Sequence, residues 1–352
     1  MSTYWVAFDL DQTIGCFESV HPYLTVFFPD VLQIVYRKPY YKGPGVPVLD
    51  ISTADKKRLA LAFGDFVKWM AASEDKNKLL RPGIIPIISL LLKAKKKGIV
   101  GGIMIYSNNA NPYMLLFAHE LIKAVLGIDE PIFCPLVHWW HPLRNKELRG
   151  EKSFDLSHGP KTVDTIRAAF MSGFCKKYYV QVSSADILFF DDLIHKDISN
   201  IIPAQNYFHV MPYHRIGDFN VTHNAFLNAL MVHDLDKSAG VLIEYKKVGL
   251  NIGPGPEELV TFKAQIPDKK GVEVADSDAI LRRLAKLLKL DMHYNMAVPK
   301  KIVLAVPSER PFEKPKAVVY EPVAVTRYSK RGGGSKRRTR KSVTVTKLTS
   351  ST

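Results

Sequence analysis

The sequence predicts an α/β domain with a mainly parallel sheet, and three observations lead to that prediction. Short apolar runs that suit buried strands recur along the chain, amphipathic helical patterns lie between them, and each strand-like run ends in a polar or acidic residue. Strands that alternate with helices are typical of a parallel sheet covered by helices. The composition agrees, because 47% hydrophobic and 24% charged residues in a chain of 352 suit a globular fold with a full core.

Three segments are predicted to be buried strands. The run YWVAF at 4–8 is aromatic and β-branched and is apolar on both faces, as a central parallel strand requires. The run IMIY at 103–106 leads into SNNANP, and ILFF at 187–190 leads into two aspartates. All three runs therefore end where the chain turns polar.

Helices are predicted between these strands. RPG at 81–83 opens the first, which ends in a lysine-rich turn and Gly98; Pro112 begins the second, which Gly127 ends; the third starts near Lys161 and Thr162. The inward positions predicted for the three helices are Ile84, Ile87, Ile88, Leu91 and Leu92, then Leu115, Ala118, Ile122 and Val125, then Val163, Ile166, Ala169 and Phe170.

The chain is predicted to divide into three parts. Residues 1–236 form the main domain, in which about 17–80 is a cap-like insertion with an aromatic, proline-broken part at 36–47 and a helix near 55–72. A helix is expected at 224–232. Residues 237–300 form an accessory α/β region that contains a basic amphipathic helix at 280–290, and 301–352 form a proline-rich linker and a disordered basic tail.

The net charge of +15 is concentrated at the C-terminal end. From Arg327 to Thr352 the chain has nine Lys or Arg and no Asp or Glu, so subtracting nine leaves +6 for residues 1–326. The basic tail at 327–341, which contains the cluster KRRTRK at 336–341, fits a nuclear-import signal or a contact with nucleic acid, and an unstructured solubilising tail is the alternative.

Other features favour a soluble intracellular protein in the cytoplasm or nucleus. Cys16, Cys134 and Cys175 are odd in number and widely spaced, which argues against a disulfide framework or a zinc site. No signal peptide is expected, and the most apolar stretch, 84–92, is far shorter than the roughly 20 residues of a membrane helix. The sequence does not indicate an oligomeric state.

Polar residues follow all three predicted strands, and they define a candidate site. Because the carboxyl ends of parallel strands share one edge of a sheet, these residues are expected to converge. Several carboxylates in one small site need a cation, and hard oxygen ligands suit Mg²⁺. Lys161 is the proposed fixed positive charge, with Lys146 and Lys152 as alternatives. The residues at the strand ends are Asp9, Asp11, Ser107, Asp191 and Asp192.

The order DxDxT at 9–13, then a serine at a strand end, then a lysine, then DD resembles the haloacid dehalogenase (HAD) superfamily of aspartyl-phosphate enzymes. The RPG–helix–strand lead into Ser107 looks more specifically like the phosphatases of the RNA polymerase II C-terminal domain and their NLI-interacting-factor relatives. The resemblance covers about residues 1–20 and 80–215. It implies a Rossmann-like HAD core in residues 1–236, with a small cap after the first strand.

The resemblance also implies a role for each matching residue. Asp9 would be the nucleophile, and Asp11 would be the general acid and then the general base. Asp192 would bind Mg²⁺ with Asp9 and the Asp11 carbonyl, while Asp191 would orient the lysine or the metal shell. The remaining substrate-binding roles would fall to Thr13, which supports the loop, to Ser107 and the Asn108 amide, which hold phosphoryl oxygens, and to Lys161.

The resemblance thus predicts a Mg²⁺-dependent phosphomonoester hydrolase that acts on phosphoserine or phosphothreonine in proteins. A phosphatase for nucleic-acid ends or nucleotides, held by the basic tail, is one alternative. A catalytically silent structural or nucleic-acid-associated protein, for instance in a virion, is another. The run HWWH at 138–141 is interpreted as packing or surface rather than as a metal site, because no third ligand is nearby.

Overall fold

The structure of the protein is a computed structural model, which describes residues 3–28, 30, 51–145, 161–173, 181–215, 217–235 and 270–290. Within these ranges the fold is mixed α/β, and its sheet has five strands that are all parallel. The strands are β1 (Tyr4–Phe8), β2 (Val100–Tyr106), β3 (Leu136–Val137), β4 (Ile187–Asp191) and β5 (Tyr207–His209).

The helices that surround the sheet lie on both of its faces. Their bounds are α1 (His21–Phe27), α2 (Thr53–Ala72), α3 (Lys76–Leu79), α4 (Ile84–Lys96), α5 (Pro112–Leu126), α6 (Val163–Gly173), α7 (Lys196–Ser199), α8 (Phe219–Val232) and α9 (Lys270–Leu287). No helix in the described part of the chain is both long and apolar enough to cross a bilayer.

The strand order is β3-β2-β1-β4-β5, so the direction of winding reverses at β1. The chain builds outward from β1 through β2 and β3, then crosses back to place β4 on the other side of β1. In doubly wound sheets of this kind, a crevice opens at the carboxyl ends of the strands where the order reverses. The crevice expected here lies between the ends of β1 and β4.

Alternating side chains of β1 divide the core into two layers. Val6 and Phe8 face a large cluster that includes residues of α1, α2, α4, α5, α8 and α9, whereas Trp5 and Ala7 face a smaller cluster with residues of α6. Because both faces are buried, β1 is apolar throughout, as the sequence indicated. The sheet is thereby held rigidly between two apolar layers, and its carboxyl edge is the part free for polar residues.

The helices confirm most of the predicted boundaries. Gly98 and Gly127 adopt left-handed conformations just after α4 and at the end of α5, where the sequence predicted helix ends. The inward face of α4 differs slightly, because Leu90 is buried while Leu92 is only partly buried. In α5, likewise, Val125 is only partly buried.

Three elements extend beyond the predicted bounds. β2 begins at Val100 because the Trp5 indole covers Gly101 and Gly102, where a Cβ would lie within about 3.2 Å of the ring. α8 begins at Phe219, since the Asp218 side chain accepts a hydrogen bond from the Asn220 amide and caps the helix. α9 begins at residue 270, well before the predicted basic helix.

Several predictions lie outside the described residues. These are the proline-broken segment at 36–47, the linker and tail at 301–352, Cys175, and most of the accessory region at 237–300. The helix predicted near 55–72 is confirmed as α2, and the thiols of Cys16 and Cys134 are free.

Candidate active site

The register of the sheet brings the ends of three strands to one level. Phe8 pairs with Ile105 on one side and with Phe190 on the other, so Asp9, Tyr106 and Asp191 follow at the same edge. The Asp9 amide donates to the Phe190 carbonyl at 2.8 Å, which continues the ladder to the edge itself. The backbone therefore places the predicted acidic residues side by side.

Asp9, Asp191 and Asp192 each present a carboxylate oxygen, and the three atoms lie within 4.8 Å of one another. All three residues are buried, and Asp191 is fully inaccessible. The two segments that carry them are about 180 residues apart in the sequence. One oxygen from the N-terminal acid and one from each of the tandem acids are thus close enough together to contact a single ion.

Lys161 lies between two of these carboxylates. Its Nζ donates to Asp9 Oδ1 at 2.7 Å and to Asp191 Oδ2 at 2.6 Å, and the side chain is 2% exposed. Burial lowers the pKa of Lys161, but the two carboxylates outweigh burial and raise it, so the ammonium stays charged. The residue precedes α6, whose first turn is capped by the Thr162 hydroxyl at the Thr165 amide. The alternatives Lys146 and Lys152 lie outside the described residues.

The two neighbouring acids at the end of β4, Asp191 and Asp192, have different surroundings. Asp191 Oδ1 accepts from the Leu193 amide at 2.8 Å, and Oδ2 lies 3.3 Å from His195 Nε2 besides its bond to Lys161. Burial alone would raise the pKa of Asp191, but Lys161 and His195 outweigh it and lower the pKa. Asp191 is therefore an anionic anchor whose oxygens are already engaged.

Asp192 is hydrogen-bonded to the loop after β1 through Thr13. The Thr13 hydroxyl donates to Asp192 Oδ1 at 3.0 Å and accepts from the Asp192 amide at 2.9 Å. Burial, with Asp9 and Asp191 nearby, raises the pKa of Asp192 to about 6. Burial also raises the pKa of Asp9, although Lys161 opposes this. Thr13 is 1% exposed, and its contacts support the loop.

Asp11 points toward a different partner. Its Oδ2 accepts a hydrogen bond from Asn109 Nδ2 at 3.0 Å. Burial and the adjacent Asp9 raise the pKa of Asp11 to about 7, which leaves the carboxyl able to carry or release a proton near neutrality. Asn109 was not singled out from the sequence, and its place in SNNANP, two residues after Ser107, was the only available signal.

The turn after β2 is held by hydrogen bonds of its own. The Ser107 hydroxyl accepts from the Asn109 amide at 3.1 Å, and the Ser107 amide donates to the Val137 carbonyl at 2.9 Å. Arg144 donates to the Ser107 carbonyl at 3.0 Å and to Asn108 Oδ1 at 2.9 Å. The turn is therefore held both by the end of β3 and by the Arg144 side chain.

Arg144 is itself fully buried and was missed in the sequence. Its guanidinium lies 5.1 Å from the centre of the Tyr106 ring and 4.9 Å from that of Trp139. Trp139 is thus a packing residue, as interpreted. In the same segment, His138 and His141 use their Nδ1 atoms to accept backbone amide hydrogens of Trp140 and Leu143, as turn-forming residues do.

The candidate site accordingly has two halves. We call Asp9, Asp191, Asp192 and Lys161 the acidic half, and Ser107, Asn108, Asn109 and Arg144 the amide half. Asp11 connects them through Asn109. Comparison of the chain with protein-family models, curated proteins and solved structures finds no match.

Proposed function

We propose that the protein is a phosphomonoester hydrolase of the HAD type, which transfers a phosphoryl group to Asp9 and then to water. The observation that carries the proposal is the acidic half, in which Lys161 bridges Asp9 and Asp191 while Asp192 completes a three-carboxylate group. A carboxylate at the end of a central strand, next to a buried ammonium, is suited to meet an anionic substrate.

The residues present fit Mg²⁺. The three carboxylates of the acidic half exceed the charge of Lys161, and burial with mutual repulsion raises the pKa of Asp9 and of Asp192. An arrangement of hard oxygen ligands with excess negative charge favours a divalent cation. Asp9 and Asp192 would hold the ion with the Asp11 carbonyl, because the oxygens of Asp191 are already engaged. When bound, the ion supplies positive charge that offsets the repulsion between carboxylate and phosphate.

Asp9 and Asp11 divide the chemistry between them. Asp9 attacks phosphorus, an aspartyl-phosphate bond forms, and the ester P–O bond breaks as Asp11 gives its proton to the leaving oxygen. Asp11 then takes a proton from the attacking water, and inorganic phosphate leaves with Asp9 restored. The raised pKa of Asp11, about 7, suits both proton transfers near neutral pH. Asn109 keeps the Asp11 carboxyl in place.

Ser107, Asn108 and Lys161 are assigned to the phosphoryl oxygens. Ser107 and Asn108 belong to a turn that Arg144 fixes, so little ordering is needed when substrate arrives. Lys161 neutralises charge on the phosphorylated Asp9 while Asp191 holds the ammonium in position. Thr13 holds the loop through Asp192.

The finer fold assignment is part of the same proposal. The strand order and the position of the acids at the reversal point support a Rossmann-like HAD core. Helices α1 and α2, which lie between β1 and α4 in the chain, support a cap-like insertion within about 17–80. The proposed substrate is a phosphoserine or phosphothreonine protein, on the resemblance of the lead into Ser107.

The test is hydrolysis of para-nitrophenyl phosphate by the purified full chain. We expect activity with Mg²⁺, loss on chelation, and loss of at least about 1,000-fold in Asp9→Asn, which removes the nucleophile but keeps its shape. Asp197→Asn, an exposed acid on α7, is the matched control and is expected to retain activity. An inactive parent protein would favour the catalytically silent alternative.

Substrate class is tested separately. Phosphopeptides should be compared with oligonucleotides phosphorylated at the 3′ or 5′ end, using the full chain and a chain without residues 327–352. Preference for the oligonucleotides that depends on those residues, and that weakens steeply with salt, would favour the nucleic-acid alternative.

A further inference from the structure

The loop that carries Asp11 has an unfavourable backbone conformation at one position. Gln12 has φ of 62°, in the left-handed region that residues with side chains rarely occupy. Its carbonyl accepts from the Tyr213 amide at 3.0 Å and from Arg81 Nη2 at 3.3 Å. Such a conformation persists only when its surroundings hold it.

Arg81 holds this loop at more than one point. Its Nε donates to the Thr13 carbonyl at 3.0 Å, and its own amide donates to the Ile14 carbonyl at 2.9 Å. A guanidinium presents several donors in a rigid planar fork, so it can bind two successive carbonyls in one fixed geometry. Arg81 thus contacts the backbone on the C-terminal side of Asp11 at three consecutive residues.

The Arg81 side chain is 1% exposed and its charge is met by α9. Nη1 donates to Asp276 Oδ2 at 3.1 Å, and the same oxygen accepts from the Met211 amide at 3.0 Å. A buried guanidinium cannot lose its proton, so removing an anionic partner leaves a poorly compensated charge. Asp276 therefore determines how firmly Arg81 is held.

The first half of α9 packs closely on the turn that contains Arg81. The Ser277 hydroxyl donates to the Pro82 carbonyl, and a Cβ added at Gly83 would lie 2.5 Å from Ser277 Cβ. Gly83 has φ of +80°, so this turn needs glycine for its backbone as well as for the close approach. Further along, Ile280 and Leu284 join the large core cluster. The contact is therefore specific and well packed.

We propose that α9 is part of the catalytic scaffold: Asp276 fixes Arg81, and Arg81 positions the loop that carries Asp9 and Asp11. The proposal deepens the function proposed above and rests on it for its catalytic part. Arg81 is a positioning residue, since its contacts are with loop carbonyls rather than with the carboxylates of the site. The accessory region thereby has a role in the main domain through its helix.

The experiment compares Asp276→Asn with Asp278→Asn in the full chain. Both substitutions remove one negative charge from α9, but Asp278 is exposed. Arg81→Lys is the second test variant, because an ammonium cannot reproduce the planar fork. Two measurements are made: hydrogen exchange of the peptide that covers residues 9–16, with 100–106 as an internal reference, and steady-state kinetics with para-nitrophenyl phosphate and Mg²⁺.

We expect Asp276→Asn and Arg81→Lys to speed exchange in residues 9–16 but not in 100–106. We also expect kcat to fall by at least about tenfold while KM stays within about twofold, because loop misplacement affects the nucleophile more than the turn that binds phosphate. Asp278→Asn should match the parent in both measurements. A merely structural role would speed exchange in both peptides and would overturn the proposal.

Unchanged exchange in residues 9–16 of Asp276→Asn would also overturn it. A parent protein without phosphatase activity overturns the proposed function instead, and exchange then decides alone whether α9 holds the loop. The two failures are therefore distinguishable.

Discussion

The acidic half and the amide half of the site contain one buried cation each, and the two cations are held differently. Lys161 is bound by two carboxylates, at 2.7 and 2.6 Å. Arg144 donates to a carbonyl and to an amide oxygen, and its guanidinium packs near two aromatic rings. One cation offsets charge, whereas the other fixes a turn.

Under the proposed function, this difference would give the two halves separate tasks in one reaction. The acidic half has three carboxylates and one ammonium, and burial raises the pKa of Asp9 and of Asp192, so a further cation would stabilise the ionised carboxylates. The amide half consists of neutral groups that Arg144 and the turn itself already hydrogen-bond, so it is ordered before substrate arrives. Charge is therefore supplied by one half and geometry by the other, and substitutions should separate the two.

The largest effect is expected for Lys161→Met. Loss of the ammonium leaves Asp9 and Asp191 buried without their shared partner, which should lower the free energy of unfolding by about 3–5 kcal/mol in the absence of divalent cations. Activity toward para-nitrophenyl phosphate should fall by at least about 100-fold. Urea unfolding monitored by circular dichroism measures the first effect.

The control for this prediction is the double variant Lys161→Met with Asp191→Asn. Removing one of the two carboxylates should restore part of the lost stability but none of the activity, because repulsion is relieved while the cation is still missing. If Lys161→Met alone unfolds at the parental urea concentration without divalent cations, the charge account of the acidic half is wrong.

Arg144→Met should have a smaller effect on stability and a different one on kinetics. The substitution leaves the buried Ser107 carbonyl without this donor, at a cost of about 1–3 kcal/mol, whereas the Asn108 side chain, which also loses a donor, is only partly buried. Because the turn is assigned to the phosphoryl oxygens, KM should rise along with the loss of kcat. Arg282→Met, on the exposed side of α9, is the matched control. An unchanged KM would argue against the role of the turn.

Asn109→Ala tests the connection between the halves. It removes the hydrogen bond to Asp11 Oδ2 at 3.0 Å, so kcat should fall by about tenfold, equivalent to roughly 1.4 kcal/mol. Stability should change little, because Asn109 is only partly buried. Asn200→Ala, at an exposed position, is the control. Equal kcat values in the two variants would show that Asn109 has no role in the proposed reaction.

The carboxylates of the acidic half could be predicted from the sequence, because each of them follows or ends a short apolar run. Asp9 and Asp191 each end an apolar strand, and parallel strands bring their ends together whatever the connections between them. The strands themselves were predicted less completely. β3 and β5 have two and three residues, too few for a pattern, and the Gly101–Gly102 pair hid the first half of β2.

Ser107 and Asn108 of the amide half were predicted from the sequence, but Asn109, Arg144 and the contacts that support the loop after β1 could not be. Arg144 lies 36 residues from Asn108, and Arg81 lies 195 residues from Asp276, so neither contact leaves a periodic or spaced signal. In the sequence, an arginine that packs near aromatic rings cannot be distinguished from an ordinary charged surface residue. Such contacts are decided by how loops pack, which composition and periodicity do not encode.

The last prediction concerns pH and applies to the metal-free protein. The pKa of Asp11 is raised to about 7 and that of Asp192 to about 6, mainly by burial, whereas both are near 3.8 when unfolded. Between these values the folded state binds more protons than the unfolded state. The contribution of these two groups to the free energy of unfolding is therefore fully present below about pH 4, and it is lost as pH rises through 6 and 7.

The measurable consequence is a difference between variants. The excess stability of Asp11→Asn over the parent should grow by about 1–2 kcal/mol between pH 5 and pH 7, because the amide has no charge to bury. Asp197→Asn should show no such growth, since that residue is exposed. Saturating Mg²⁺ should remove most of the decline in the parent, because a cation favours the ionised carboxylates. A decline that persists unchanged in Mg²⁺ would mean that the ion does not bind in the acidic half.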